Sequence, residues 1–142
     1  MMDNNERRIE AMEVERRFLL DWIRFNVTDD KIYNFFTNHC IEKVILYGMG
    51  DLGWFVYELL KRNNITVLCG IDRKPTCGRM ELSVKKVEEA LNIFDDYDAI
   101  IISSIYYCND IYNTLVEREV KQEKIIGVED IVYWCSRRIQ ST

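Results

Sequence analysis

The stretch YGMGDLG, residues 47–53, follows the apolar run KVIL at residues 43–46 and decides how the rest of the chain is interpreted. Three of the chain's six glycines, Gly48, Gly50 and Gly53, lie in it. In a G-x-G-x-x-G turn between a strand and a helix, the first glycine permits a tight turn. The second allows a pyrophosphate to approach the backbone, and the third allows helix and strand to pack closely. The stretch therefore predicts a strand, a glycine loop (residues 48–53), and a helix whose first amides bind an anion.

Four short apolar runs predict the sheet. They are VILY (44–47), TVLCGI (66–71), AIIIS (99–103) and KIIGV (124–128). Nearly continuous apolar runs are typical of parallel strands buried on both faces. Apolar residues at helical spacing lie between the runs, and Ser83 is the expected N-cap of the helix between the second and third. The fold class is therefore α/β, an open, doubly wound, mainly parallel Rossmann-like sheet of four or five strands.

The first forty residues have the spacing of apolar and charged residues that is typical of helices, whereas the short apolar runs typical of strands begin only at residue 44. Two helices are predicted there, over residues 5–25 and 30–38. We therefore divide the chain into an amino-terminal α-helical arm, 1–40, and a Rossmann-like nucleotide-binding domain, 41–142.

Size and charge exclude several classes of function. The chain has 142 residues and a formal net charge of −5, which argues against nucleic acid as a partner. No apolar stretch approaches the roughly 18 residues that span a bilayer, and the charged amino terminus is unlike a signal peptide. We expect a cytoplasmic protein without membrane insertion. The five cysteines match neither a disulfide framework nor a zinc site, so no metal is expected.

The predicted ligand site extends beyond the glycine loop, whose Met49, Asp51 and Leu52 we include as candidates. Asp72 ends the second apolar run, 19 residues after Gly53 (72 − 53), where a carboxylate meets ribose hydroxyls in dinucleotide-binding folds. Arg73 either binds a phosphate or belongs to a solvated turn. The Asp51 carboxylate, in turn, either tolerates a bound phosphate or caps the helix's own first amides.

The opposite wall of the site follows from strand order. If the third run pairs beside the first, on the side away from the second, ligands bind at that switch point, outside the carboxyl ends of the strands. Ser103 and Ser104 then line the wall with Tyr106, although the serines could instead cap the next helix. Tyr106 and Tyr107 are more typical of packing or interface aromatics than of ligand contacts.

No catalytic machinery is evident in the sequence. Tyr57 and Lys61 have the Tyr-x-x-x-Lys spacing of short-chain dehydrogenases, but they lie on the helix directly after the glycine loop rather than on a later one. The single histidine, His39, has no apparent partner. The site therefore indicates binding rather than turnover.

The helix after the glycine loop is predicted to bury Leu52, Phe55, Val56, Leu59 and Leu60. On that assignment Trp54 and Tyr57 fall on the opposite side. We expect the amino-terminal helix to cover this pair through Phe18, Trp22 and Ile23, within one chain or across a homodimer.

Four segments together resemble a known family. They are YGMGDLGWFVYELLK, VLCGIDRKP, DAIIISSIYY and KIIGVEDIV. They are similar to small nucleotide-binding Rossmann domains of bacterial surface-polysaccharide gene clusters, including the amino-terminal nucleotide-sugar-binding domain of sugar acetyltransferases. The resemblance implies that Gly48, Gly50, Gly53 and Asp72 contact a nucleotide, either NAD(P) or a nucleotide-sugar.

The same resemblance implies an accessory or regulatory module that works with a glycan-synthesis enzyme. Two alternatives stay open. One is a small oxidoreductase or sugar-nucleotide-modifying enzyme completed by a partner subunit. The other is an interaction scaffold that binds no nucleotide.

Overall fold

The computed structural model describes residues 1–75 and 81–138, which leaves Cys77 outside the described residues. In this part of the chain, helices and strands follow one another in the order α1 (Asn4–Arg24), α2 (Asp29–Asn38), β1 (Lys43–Tyr47), α3 (Asp51–Arg62), β2 (Thr66–Ile71), β3 (Val84–Lys85), α4 (Val87–Ile93), β4 (Ala99–Ile102), α5 (Cys108–Glu117), β5 (Ile125–Gly127) and α6 (Val128–Arg138). Within the same residues, no helix is both long and apolar enough to cross a membrane.

The strands form one parallel sheet in the order β3-β2-β1-β4-β5. β1 is central, with β2 on one side and β4 on the other. The chain therefore adds β2 and β3 on one side of β1, crosses back over it, and adds β4 and β5 on the other side. This confirms the predicted α/β doubly wound fold and places the switch point between β1 and β4.

The edge strand β3 corrects one prediction. Ser83 was expected to cap a helix, but Val84 and Lys85 are a strand and α4 begins only at Val87. The amides of Gly70 and Asp72 donate to the carbonyls of Ser83 and Lys85, at 2.9 and 3.0 Å. Pairing with the otherwise open edge of β2 outweighs the capping preference of a serine, because it satisfies backbone groups of both segments.

Each face of the sheet has its own core. Alternate residues of β1 point in opposite directions: Val44 and Leu46 pack with α3, α6 and the two amino-terminal helices, whereas Ile45 packs with α4 and α5. Coverage of both faces explains why the strands are apolar at nearly every position.

The amino-terminal helices share the first of these cores. Phe18 of α1 and Ile32 and Phe36 of α2 are buried in the same cluster as Val44.

Cys69 and Cys135 are also fully buried, and burial raises the pKa of each thiol to about 11, so both are neutral packing residues.

Helix α3 confirms one part of a second prediction and corrects the rest: Leu52, Val56, Leu59 and Leu60 are buried as expected, but the centre of the buried face is rotated toward Gly53. Trp54 and Tyr57 are buried, whereas Phe55, assigned to the buried face, is 42% exposed and makes an edge contact with Trp22. The Tyr57 hydroxyl is 3.4 Å from the Glu81 carbonyl oxygen, so the chain before β3 lies against the tyrosine. The third residue expected to cover the pair, Ile23, is 75% exposed.

The physical reason for this rotation is Gly53. A methyl group at that residue would lie 2.0 Å from the Gly48 carbonyl oxygen, so α3 presents its glycine side to the turn after β1. Val56, Tyr57 and Leu60 follow Gly53 at i+3, i+4 and i+7, and are turned inward with it.

Four helices end in the same way. The residues Asn26, Cys40, Asn64 and Glu119, after α1, α2, α3 and α5, have positive φ angles of 50°, 56°, 62° and 67°. In each case the next residue is a buried Val or Ile whose amide donates to a carbonyl five residues earlier. These are Schellman caps, which turn the chain by means of one left-handed residue.

Candidate functional site

The turn after β1 requires its first glycine. Gly48 has a φ of +106°, and its amide donates to the Ile71 carbonyl at 2.8 Å, which ties the turn to β2. A methyl group at Gly48 would meet Ser103 Oγ at 2.9 Å and the Ser104 amide nitrogen at 3.1 Å. Both backbone conformation and space therefore demand glycine here.

The other two glycines differ from each other. Gly53 allows α3 to touch the Gly48 carbonyl, as described above. A methyl group at Gly50, in contrast, would have no heavy atom within 4 Å, and its φ of −79° suits any residue. Within the described residues, nothing in the fold explains why position 50 is a glycine, and its surroundings are open to a ligand.

The first turn of α3 offers a group of backbone donors. Within residues 1–75 and 81–138, no oxygen accepts a hydrogen bond from the amides of residues 50–53. The Asp51 carboxylate is exposed and accepts nothing from these amides, so the self-capping alternative does not hold. These amides and the positive end of the helix dipole favour an anion at this position.

Asp72 stands beside the loop but is already bonded. Its Oδ2 accepts from the Met49 amide at 2.9 Å, and its Oδ1 accepts from the Lys74 amide at 3.1 Å. Each carboxylate oxygen can accept a second hydrogen bond, so Asp72 can still bind a hydroxyl group. The contact with Met49 also fixes the loop against the carboxyl end of β2.

Several predicted site residues serve the fold rather than facing the cleft. The Met49 side chain is buried and lies against Gly70, where an added methyl group would meet its Cγ at 2.8 Å. Leu52 is buried in the core. The hydroxyl of Ser103, also buried, lies within hydrogen-bonding distance of the carbonyl oxygens of Tyr47 and Gly48. It therefore braces the turn from β4.

A cleft of about 270 Å³ opens beside the turn, on the α5 side of the sheet. It is lined by Tyr47, Gly48, Asp72, Arg73, Ser104, Tyr107, Asp110, Ile111 and Thr114. Gly48, Asp72, Arg73 and Ser104 were predicted for the site, and the structure brings them together at the carboxyl ends of β1, β2 and β4. Neither serine caps α5, whose N-cap residue is Tyr107.

The aromatic and α5 side chains of this cleft were not among the predicted site residues. Tyr107, expected to be a packing aromatic, lies under the Arg73 guanidinium at 5.7 Å from its ring centroid. The available signal was strand order: a helix that follows β4 must start beside the end of β1. Residues in the first two turns of α5, such as Asp110 and Thr114, therefore face the switch point.

Charges of both signs surround the cleft. Burial raises the pKa of the Tyr47 hydroxyl, and the positive charges of Arg73 and Arg118 partly oppose that effect. Near the start of α3, burial raises the pKa of Glu15, and the negative charge of Asp51 raises it further. α1 thus brings a second carboxylate close enough to Asp51 for the two negative charges to interact.

The remaining candidates lie elsewhere. Tyr106 does not line this cleft but donates to Glu10 Oε2 at 2.8 Å, which ties the loop after β4 to α1. The Lys61 ammonium lies over the Tyr57 ring, 5.9 Å from its centroid, and the tyrosine hydroxyl is directed to Glu81. His39 stacks on Phe35.

Among residues 1–75 and 81–138, no three His, Cys, Asp or Glu side chains are grouped to hold a metal ion.

A comparison with protein families identifies the domain. A family model described as C2185-like, N-terminal, matches residues 40–126. The chain belongs to this family. The match begins just before β1 and includes the glycine loop, Asp72 and both serines, whereas α1 and α2 precede it. A search of curated proteins found no match.

Proposed function

We propose that the chain binds a nucleotide, either a nicotinamide dinucleotide or a nucleotide-sugar, as an accessory or regulatory module of bacterial surface-glycan synthesis in the cytosol. One observation carries the proposal. Three features meet at the switch point of a parallel sheet: the amides of residues 50–53, which donate to no oxygen of the described residues, the Asp72 carboxylate, and an open cleft. Sheets of this kind bind their ligands at that position.

Each part of the site has a chemical role in this proposal. The amides at the start of α3 bind the diphosphate, and the open space at Gly50 permits its close approach. Asp72 accepts hydrogen bonds from the ribose hydroxyls with its remaining lone pairs. The aromatic and apolar wall of the cleft, with Tyr107 and Ile111, suits the flat face of a base.

The binding test uses the pure protein and three probes, NAD, NADP and UDP-N-acetylglucosamine. At a free concentration 100 times its Kd, a ligand stabilises the folded state by about 2.7 kcal/mol, which raises the Tm by roughly 8–10 °C. Isothermal calorimetry then gives the affinity and stoichiometry. If no probe raises the Tm, the nucleotide proposal fails.

A variant pair locates the site. Gly50→Val places a branched side chain where the phosphate approaches, in a position with space for it in the protein alone. We expect the variant to fold and to lose the ligand-induced shift. Glu58→Ala, on the exposed side of the same helix, is the control and should bind normally. Equal shifts in both variants would show that the ligand binds elsewhere.

A second candidate is an interaction scaffold that binds no nucleotide. It is favoured by the bonding of Asp72, whose two oxygens accept the amides of Met49 and Lys74. A scaffold needs these bonds only for the shape of the turn. The same titrations separate the candidates, because a scaffold shows no nucleotide-dependent shift while Asp72→Ala still lowers its Tm.

A further inference from the structure

Helix α1 carries a row of exposed apolar side chains on the side away from the sheet. The row, called the α1 stripe below, consists of Ile9, Met12, Leu19, Leu20 and Ile23, which are 59%, 60%, 40%, 50% and 75% exposed. The opposite side of the same helix is occupied, since Val14, Phe18 and Trp22 pack against the body of the protein. α1 is therefore apolar on two sides, and its own chain covers one of them.

The spacing of the α1 stripe is that of a helix pair. Ile9, Met12, Leu19 and Ile23 are separated by three, seven and four residues, and Arg16 stands at the intermediate position. Together they fill successive a and d positions of a heptad repeat, which face a partner helix along one line. The line from residue 9 to residue 23 is about 21 Å long at 1.5 Å per residue.

The charges of α1 favour a protein partner over a lipid surface. The helix contains five acidic and five basic residues, Glu6, Glu10, Glu13, Glu15 and Asp21 against Arg7, Arg8, Arg16, Arg17 and Arg24. A helix that binds an anionic membrane needs an excess of basic residues on its polar face. α1 has none.

The arrangement of these charges fits a second copy of the same helix. At about 3.6 residues per turn, four residues fall along one edge of the α1 stripe. Glu6 and Glu13 lie on that edge in the first half of α1, and Arg17 and Arg24 lie on it in the second half. In an antiparallel pair of identical helices, the residue numbers of opposing positions have a constant sum. Glu6 with Arg24 and Glu13 with Arg17 both sum to 30, so one alignment places each glutamate opposite an arginine of the other copy. The edge is thus complementary to itself, as a twofold interface requires.

We propose that the α1 stripe is the contact surface between two copies of this chain, which pair through antiparallel α1 helices. Trp54 and Tyr57 are buried inside a single chain, so the pairing uses a different surface from that aromatic pair. A strip the length of α1, roughly 30 Å by 10 Å, buries about 300 Å² per copy, less than half the usual amount in a stable complex. The pairing is therefore weak and depends on concentration.

The test measures mass against concentration for the full chain. Sedimentation equilibrium over about 5–500 μM should show the monomer of 17.0 kDa approaching twice that mass, with a Kd on the order of 100 μM. Ile9→Lys with Ile23→Lys should weaken pairing about tenfold or more, since two charges would enter the contact. Ile93→Lys is the matched control, because Ile93 is 54% exposed on α4 and should have no effect.

A charge exchange tests the antiparallel register. Glu13→Arg or Arg17→Glu alone should weaken pairing, and the double variant should restore it. All these positions are outside the core, so circular dichroism and Tm should match the wild type. A mass that stays at 17.0 kDa throughout would overturn the proposal. So would equal pairing by the double-lysine variant, or binding of wild type to phosphatidylserine vesicles without any self-association.

Discussion

The contact between Gly53 and the turn after β1 can be tested by adding one methyl group. In Gly53→Ala the new Cβ would lie 2.0 Å from the Gly48 carbonyl oxygen, and a separation of at least 3.0 Å is needed. Helix and turn must therefore move apart by 1.0 Å or more (3.0 − 2.0). Overpacking of this kind costs about 3 kcal/mol, and the better helix propensity of alanine returns about 1 kcal/mol. The net loss of unfolding free energy is about 2 kcal/mol, or roughly 6–8 °C in Tm.

Thermal and urea unfolding, followed by circular dichroism, measure this loss. Gly50→Ala is the matched control: a methyl group there has no neighbour within 4 Å, so only the small N-cap preference of glycine is lost. We expect Gly53→Ala to be clearly the less stable of the two. If Gly53→Ala is as stable as the wild type, the close approach of α3 to the turn is wrong, and the account of its rotation with it.

Three smaller effects follow from helix caps and carboxylates. Glu119→Gly should raise stability by about 0.5–1 kcal/mol in urea unfolding, because glycine adopts the positive φ of 67° without strain; a loss would contradict the left-handed cap. Asp98→Ala should cost about 1 kcal/mol, since the carboxylate accepts two amides at the start of β1. These amides lower the pKa of Asp98, so its contribution is present at neutral pH and is lost as pH falls through that pKa. Glu15→Gln should raise the Tm at neutral pH but not in acid. Burial and Asp51 raise the pKa of Glu15, so the wild type loses stability as pH rises through it.

Much of the fold could be predicted because the strands of a doubly covered sheet are strongly apolar. The runs at residues 44–47, 66–71 and 99–103 correctly predicted three strands and the switch point, although the third strand ends one residue earlier, at Ile102. The edge strand Val84–Lys85 could not be found in this way, since two residues make no pattern and the strand exists only through its pairing with β2. The buried face of α3 was only partly correct, since Phe55 is exposed and Trp54 and Tyr57 are buried, because periodicity alone does not fix the centre of the face that meets the sheet. The position of Gly53 does.

The positions of the candidate site residues in the fold were predictable where backbone geometry sets them, whereas their role in binding a ligand stays a prediction. The glycine pattern gave the reasons for Gly48 and Gly53, and the end of the second run gave Asp72. The bond from the Met49 amide to Asp72 was beyond sequence reasoning, because residues 23 positions apart meet only through the register of β1 with β2. The α5 wall of the cleft was missed for a similar reason: helix orientation over the sheet decides which side chains face the turn.

The left-handed helix ends have a consequence for where this domain can change. Three of them, at Cys40, Asn64 and Glu119, precede β1, β2 and β5 and therefore lie near the amino-terminal ends of the strands. At each of these residues the chain reverses direction and the next residue is buried, so an insertion there would remove a packed side chain from the core. At the carboxyl ends of the strands lie the cleft and the amides of residues 50–53, to which no oxygen in the described part of the chain bonds. New specificities can therefore arise by lengthening loops on one side of the molecule while the other side holds the strands in place.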